Sequence, residues 1–344
     1  MPKPLGVGLL GAGPVTQAIH LPVIANLASR LRVVKVMDVE ADLAAQIAAR
    51  CDASSTTSAA EVLEDPSVDV VAVCSPHAFH ADQVIAACRA GKRAVLCEKP
   101  MTTTARQTRQ IAAAAAATGV PVLVGTMHAY DPAYQAARRH WGNLPDTATL
   151  IRSVIYLPSN DLMVAAATDP AVLPVSDAAG AGPHPPTIKD AVLGLAMHAL
   201  PLIRDFEPAA GTVSFARLLK PWGYSITTTS QDRAVQLIGF MPGRWAPDWR
   251  LSVWGDGQEL HVSFPPSYVL AGSATATLAA GGSRRSWHYP GNGYQAEWEH
   301  VADVAEGRTQ PSPGLDTAIA DLLAAIAIAD QATEASAVLT GAMW

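Results

Sequence analysis

In the N-terminal part of the chain the apolar positions come in short, nearly unbroken runs: Leu5 to Leu10, Val33 to Met37, Val68 to Cys74, Ala94 to Cys97 and Val120 to Val124. Runs of this length without a polar partner face predict strands buried on both sides. Between them lie helical patterns, one starting near Pro14 and others at Ala41 to Arg50, Ala59 to Leu63, Ala81 to Ala90 and Thr104 to Ala117. Gly91 and Gly119 stand where two of these helices should stop. Strict alternation of strand and helix predicts a doubly wound parallel sheet over residues 1–126. From Met127 onward the pattern changes. Leu150 to Leu157, Gly211 to Leu219, Tyr224 to Thr229, Ala234 to Phe240, Trp249 to Trp254, Glu259 to Phe264, Ala274 to Leu278 and Arg285 to Tyr289 read as strands, with few helices between them. Such a run predicts an α+β domain over residues 127–344, with a large open, mainly antiparallel sheet covered on one face. Helical pattern there is confined largely to Lys189 to Phe206 and the C-terminal region.

In a doubly wound sheet, ligands sit beyond the carboxyl ends of the strands. The first strand runs directly into Gly11-Ala12-Gly13, and a helical pattern follows. A glycine turn between strand and helix lets backbone N–H groups approach a pyrophosphate at the positive helix end, so Gly11, Gly13, Pro14 and Val15 are the expected cofactor contacts. The second strand stops at Asp38, whose carboxylate is placed to accept ribose hydroxyls. Strand, glycine turn, helix, strand and acid in that order define a Rossmann dinucleotide site. Thr16 stands where the fingerprint has its third glycine, which predicts slightly looser helix–strand packing. Ser75-Pro76-His77-Ala78-Phe79-His80, Glu98-Lys99-Pro100 and Gly125 to His128 also fall at strand ends. All of them should therefore converge on one crevice.

Composition narrows the class. The hydrophobic fraction is 49% and the charged fraction 16%, as in a compact protein with ample core. A formal charge of −6 argues against nucleic acid or an anionic membrane as partner. The first apolar run ends in a glycine turn, not a cleavage site, so no signal peptide is expected. Ile111 to Ala117 is too short and too weakly apolar to span a bilayer. Cys51, Cys74, Cys88 and Cys97 lack metal-ligand spacing; they read as reduced, and no metal is expected. The expected compartment is the cytoplasm.

These motifs, GAGPVTQAIHLPVI, SPHAFH, LCEKPM and GTMHAYDPAY, resemble the glucose–fructose oxidoreductase/inositol dehydrogenase (Gfo/Idh/MocA) family. A looser similarity continues in GLAMHALPLIRDF and NGYQAEWEHVADVAEGR. The resemblance implies an NAD(P)-dependent oxidoreductase moving a hydride to or from a carbinol or keto carbon of a sugar, polyol or related hydroxy compound. It also implies a homodimer or homotetramer joined through the second-domain sheets. NAD is expected over NADP, because Asp38 would repel a 2′-phosphate and neither Val39 nor Glu40 supplies an arginine. Two other readings stay open: a cofactor-binding sensor or assembly subunit without turnover, and an enzyme that oxidises a sugar transiently to allow elimination.

Lys99 and His198 are the expected catalytic pair. Pro100 restricts Lys99 to extended geometry, and its ammonium would stabilise an alkoxide; the alternative is an ion pair with Glu98. Ser75, Pro76, His77, His80, Glu98 and Lys99 complete the expected cofactor contacts, and His20 is expected to face the cofactor. His80 reads equally as a cap on the following helix. For substrate, Lys99, His128, Tyr130, Asp190 and His198 are the candidates. On a continuous helix from Lys189 to Phe206, Asp190, Gly194 and His198 would share one face. The family's Asp-x-x-x-His pair matches His198, but Gly194 stands at the aspartate position. Asp190 would substitute only through water, because eight residues span about 12 Å of helix. His198 reads either as general base or as a core histidine. The tryptophans beyond Trp141 read as sheet packing or as platforms for a sugar ring. The segment from Pro158 to Pro186, rich in Ala, Gly and Pro, is expected to form a loop over the substrate cleft.

Overall fold

Six short strands, β1 (Leu5–Leu10), β2 (Leu31–Met37), β3 (Ser54–Thr56), β4 (Val70–Val73), β5 (Ala94–Glu98) and β6 (Val122–Gly125), pair in parallel in the order β3-β2-β1-β4-β5-β6. The computed structural model describes residues 3–167, 187–242 and 247–341. Every residue of β1 and β4 is buried, as the unbroken apolar runs require. Only β3 has no hydrophobic signature, since Ser54–Thr56 is an edge strand of three polar residues. The chain leaves β1 toward β2 and β3, then returns to β4 on the other side of β1. That reversal opens a crevice at the carboxyl ends of β1 and β4.

The second sheet has eight strands: β7 (Leu150–Tyr156), β8 (Thr212–Leu218), β9 (Gly223–Ser230), β10 (Arg233–Phe240), β11 (Asp248–Gly255), β12 (Gln258–Ser263), β13 (Thr275–Ala280) and β14 (Ser283–Trp287). Their order is β14-β13-β12-β11-β7-β10-β9-β8. All pairs are antiparallel except β7 with β10. Burial alternates along β9, β10 and β11, the signature of a sheet with one covered face.

The chain divides between Thr126 and Met127, but the second domain is not the continuous 127–344 expected. Tyr294–Ala320 belongs to the first unit. The physical reason lies in the helix Gly293–Ala305, whose Trp298 is fully buried with its indole N–H on His20. Arg30 fixes the end of the same helix by pairing with Asp303 at 2.7 Å and with Glu306. Of the segment expected to form a loop over a cleft, Asn160–Ala167 is helical. Positions 168–186 lie outside the described residues. Among the described residues, no helix is long and apolar enough to cross a membrane.

Candidate active site

The turn after β1 is built around Gly11. Its φ of +107° lies in the region that side chains disfavour, and a Cβ there would sit 2.7 Å from the Ser75 nitrogen. The backbones ending β1 and β4 thus touch because position 11 has no side chain. At Gly13 a Cβ would meet nothing within 4 Å, so open space lies in front of the turn. Thr16, expected to loosen this packing, is fully buried, and its hydroxyl donates to the Gly11 carbonyl at 2.7 Å. The first turn of the helix, Thr16–His20, is π-helical and passes into an α-helix only at Leu21–Asn26.

Asp38, at the end of β2, accepts hydrogen bonds from the Ala12 N–H (2.8 Å) and the Glu40 N–H (3.1 Å). A carboxylate has about four lone-pair sites, so it clamps the glycine turn and keeps acceptor capacity for ribose hydroxyls. These features fit a dinucleotide: an open-fronted turn for the pyrophosphate and a strand-end acid for the ribose. Pro76 and His77 are exposed beyond β4, and the Ser75 hydroxyl donates to Gln83 at 2.7 Å.

His80 and His20 turn inward instead of presenting a nitrogen to a cofactor. The His80 ring is buried, 3.0 Å from the Pro100 carbonyl and 2.7 Å from that of Ser75. Burial lowers its pKa even though the two carbonyls favour a second proton. The ring therefore ties the end of β4 to the end of β5. His20 is fully buried, accepting the Trp298 indole N–H on Nδ1 at 3.0 Å. Its Nε2 lies 3.2 Å from Glu98 Oε1. Distant in sequence from the strand ends, Trp298 and Glu297 carry no motif that marks them as partners of this site.

Lys99 follows β5 directly, and its main-chain N–H donates to Glu98 Oε2 at 3.1 Å. Burial lowers the Lys99 pKa, and the Glu98 carboxylate pulls it back up. Burial would raise the Glu98 pKa, but His20 and Lys99 hold it below its ordinary value. Nearby Glu297 goes the other way: burial, then the charge of Glu98, push it well above the carboxylate range.

In the second unit the expected helix from Lys189 to Phe206 is broken. An α-helix covers Ile188–Leu195, a 3₁₀ turn covers Ala196–His198, and a short helix covers Leu200–Ile203. Pro201 is the cause, because it has no N–H to give the Met197 carbonyl. The shared face of Asp190, Gly194 and His198 is lost with the continuous helix. Asp190 does not replace the missing carboxylate either. It is exposed, and its side chain closes a capping box with Thr187, accepting from the Thr187 N–H (2.9 Å) and hydroxyl (2.7 Å). The Thr187-x-x-Asp190 spacing is itself the sequence signal for that cap. At Gly194 a Cβ would lie 2.6 Å from Cη2 of Trp222. The indole fills the space into which an aspartate would project.

His198 is buried, with its ring edge-on to Trp249 at 5.0 Å between centroids. His128 is buried among Trp249 (4.4 Å) and Phe264 (4.1 Å), 6.1 Å from the His198 ring. Burial alone lowers the His128 pKa to about 3, so it is neutral in the folded protein. Tyr130 is buried on the same short helix, Met127–Tyr130. The second unit thus brings His128 and His198 together around Trp249 and leaves Asp190 outside. Trp141, against Tyr134 and Phe206, is likewise packed into the core.

A parallel sheet whose switch point carries a glycine turn and a strand-end acid has the architecture of a dinucleotide-binding fold. Residues 5–126 match the oxidoreductase family with an NAD-binding Rossmann fold, GFO_IDH_MocA. That match covers residues 5–126 of a chain of 344. Inositol 2-dehydrogenase 3 of Saccharopolyspora erythraea is 37% identical over 130 residues, covering 38% of each chain. The scyllo-inositol 2-dehydrogenase (NAD(+)) of Bacillus subtilis is 39% identical over 79 residues, covering 23% of each. The matched segment thus spans well under half the length of these curated relatives. Over the whole chain the fold is shared with solved structures of low sequence identity. A 3-ketoreductase from Actinomadura kijaniata, solved in an open conformation with TDP-benzene and NADP, aligns over 97% of this chain and 98% of its own. Its TM-score is 0.72 at 18% identity. UDP-N-acetylglucosamine 3-dehydrogenase from Acidithiobacillus ferrooxidans aligns over 96% and 98%, with a TM-score of 0.73 at 16% identity.

Proposed function

We propose that this protein is an NAD-dependent oxidoreductase acting on a secondary hydroxyl, or the corresponding ketone, of a sugar or cyclitol. The observation that carries this reading is the placement of Lys99 at the end of β5, in the sheet whose β1 ends in the glycine turn and whose β2 ends in Asp38. Gly11, Gly13 and Asp38 would hold the dinucleotide, which supplies hydride chemistry when bound. The Lys99 ammonium stabilises negative charge on the substrate oxygen as the hydroxyl proton leaves. His198 takes that proton on a ring nitrogen, and returns it when the reaction runs toward the alcohol. NAD is the preferred partner. A 2′-phosphate about 4 Å from the Asp38 carboxylate would cost roughly 4 kcal/mol at an intermediate dielectric.

The test is a screen of sugars and cyclitols with NAD⁺, followed by nicotinamide absorbance, together with calorimetry of NAD and NADP. Lys99→Ala and His198→Asn should each reduce turnover about a hundred- to ten-thousandfold. NAD affinity should persist in both variants. Full activity in His198→Asn would remove His198 from the chemistry, and tighter binding of NADP than of NAD would refute the cofactor preference. A second reading, a cofactor-binding sensor without turnover, is favoured by Trp222 standing where the family carries an aspartate. It wins if the parent binds NAD tightly yet is inert across the whole panel.

A further inference from the structure

Behind Lys99 lies a buried cluster that the hydride chemistry does not use. Trp298 donates its indole N–H to His20 Nδ1 at 3.0 Å, and His20 Nε2 lies 3.2 Å from Glu98 Oε1. The other Glu98 oxygen accepts the Lys99 main-chain N–H at 3.1 Å. Trp298 and His20 are fully buried, and Glu297 is 1% exposed. On the neighbouring strand β6, a Cβ at Gly125 would sit 3.2 Å from Glu98 Oε1, so the glycine makes room for the carboxylate. The titratable groups facing this cluster are Cys74, Cys97, Glu297 and His80.

We propose that Trp298, His20 and Glu98 form a positioning relay that fixes the Lys99 main chain and presents a permanent negative charge to its ammonium. The relay depends on where the His20 proton sits. Burial opposes charge on the ring, but Cys74 and Glu98 outweigh it and raise the His20 pKa well above its ordinary value. Nδ1 accepts the indole N–H, so the proton that the ring directs to the Glu98 side is the one on Nε2. Glu98 then stays ionised between an imidazole N–H and an amide N–H. Without that charge, burial would lower the Lys99 pKa further, and the ammonium would be lost at a lower pH. Trp298 thereby acts on Lys99 through two intervening side chains.

The assignment of Lys99 to the chemistry rests on the proposed oxidoreductase reading, so the test measures the ammonium itself as well as turnover. In lysine-labelled full-length protein, the Lys99 titration followed by NMR should fall by about 1 to 3 on the pH scale in Glu98→Gln. His20→Leu should lower it less. His20→Gln, which restores an N–H near the position of Nε2, should recover part of the loss. Trp298→Phe keeps the apolar body of the side chain and should change it least, while releasing the His20 proton from Nε2 in ¹⁵N spectra. An unchanged far-UV circular dichroism spectrum reports that each variant is folded. Turnover should drop about ten- to a hundredfold in Glu98→Gln and His20→Leu with little change in KM, the signature of misplaced geometry. An unmoved Lys99 titration in Glu98→Gln and His20→Leu overturns the relay, whatever the turnover. A lowered titration in a parent inert on every hydroxy compound upholds the relay and removes the enzyme reading instead.

Discussion

The two sheets of this chain solve opposite problems. In the first, β1 and β4 are buried along their whole length, so no strand residue can present chemistry from a face. Functional groups are pushed to the strand ends, where backbone geometry already holds them. In the second sheet, β10 and β11 alternate between buried and half-buried positions, and one face lies under helices and turns. There the candidate chemistry sits on the covering segment: His198 on a broken helix, packed over Trp249 of β11. Strand ends impose geometry through the main chain. A covering helix imposes it through side-chain packing, and so is easier to change.

Substitutions at one residue of each kind would sharpen this contrast. The largest effect is expected at Gly11. A left-handed conformation forced on a side chain costs about 1–3 kcal/mol, and the new Cβ would press on the Ser75 backbone. Gly11→Ala should weaken NAD binding about a hundredfold by calorimetry; unchanged affinity would mean that the turn does not hold the cofactor.

A smaller effect, visible only as a pH slope, is expected from His128. Its pKa is lowered to about 3 in the folded protein and returns to about 6.5 on unfolding. Between those values the unfolded chain binds a proton that the native state refuses. Stability therefore declines as pH falls below about 6.5, by up to about 1.4 kcal/mol per pH unit, until about pH 3. In His128→Phe the urea midpoint should shift less between pH 7 and pH 5 than in the parent. Equal slopes would show that the ring is charged or hydrated in the native state.

A further effect, read in stability and not in cofactor binding, is expected at Gly194. Gly194→Asp should destabilise by about 1–3 kcal/mol through overpacking against Trp222. Combining it with Trp222→Ala should relieve part of that loss, giving a coupling of about 0.5–3 kcal/mol in a double-mutant cycle. Strict additivity would show that the indole moves aside freely.

The same contrast explains what the sequence disclosed. In the parallel sheet, hydrophobic runs alone located β1, β2, β4, β5 and β6, because burial on both faces leaves no polar position to confuse the pattern. Ser54–Thr56 escaped, being held by pairing with β2 rather than by burial. All eight strands of the second sheet were also legible from their patterning. The functional detail around His198 was less so, although two of its determinants stood in plain view. Pro201 breaks the helix and Thr187-x-x-Asp190 caps it, yet the four-residue spacing of Asp190, Gly194 and His198 suggested a continuous face. The inward turn of His20 was not legible at all. Its partner Trp298 is 278 residues away, and no local rule connects a helix near one end of the chain to a histidine near the other.

That separation bears on the order in which the protein is made. The parallel sheet is complete in sequence at Gly125, but the indole that covers His20 emerges some 170 residues later. At roughly 5–20 residues per second, a nascent chain spends about 10 to 35 s with that pocket uncapped. During this interval His20 lacks the indole that its Nδ1 accepts from in the finished fold. The ribosome thus holds a dinucleotide fold that is paired but not yet sealed. Pulse proteolysis of stalled chains should find protection of the first sheet rising only once Trp298 has cleared the exit tunnel.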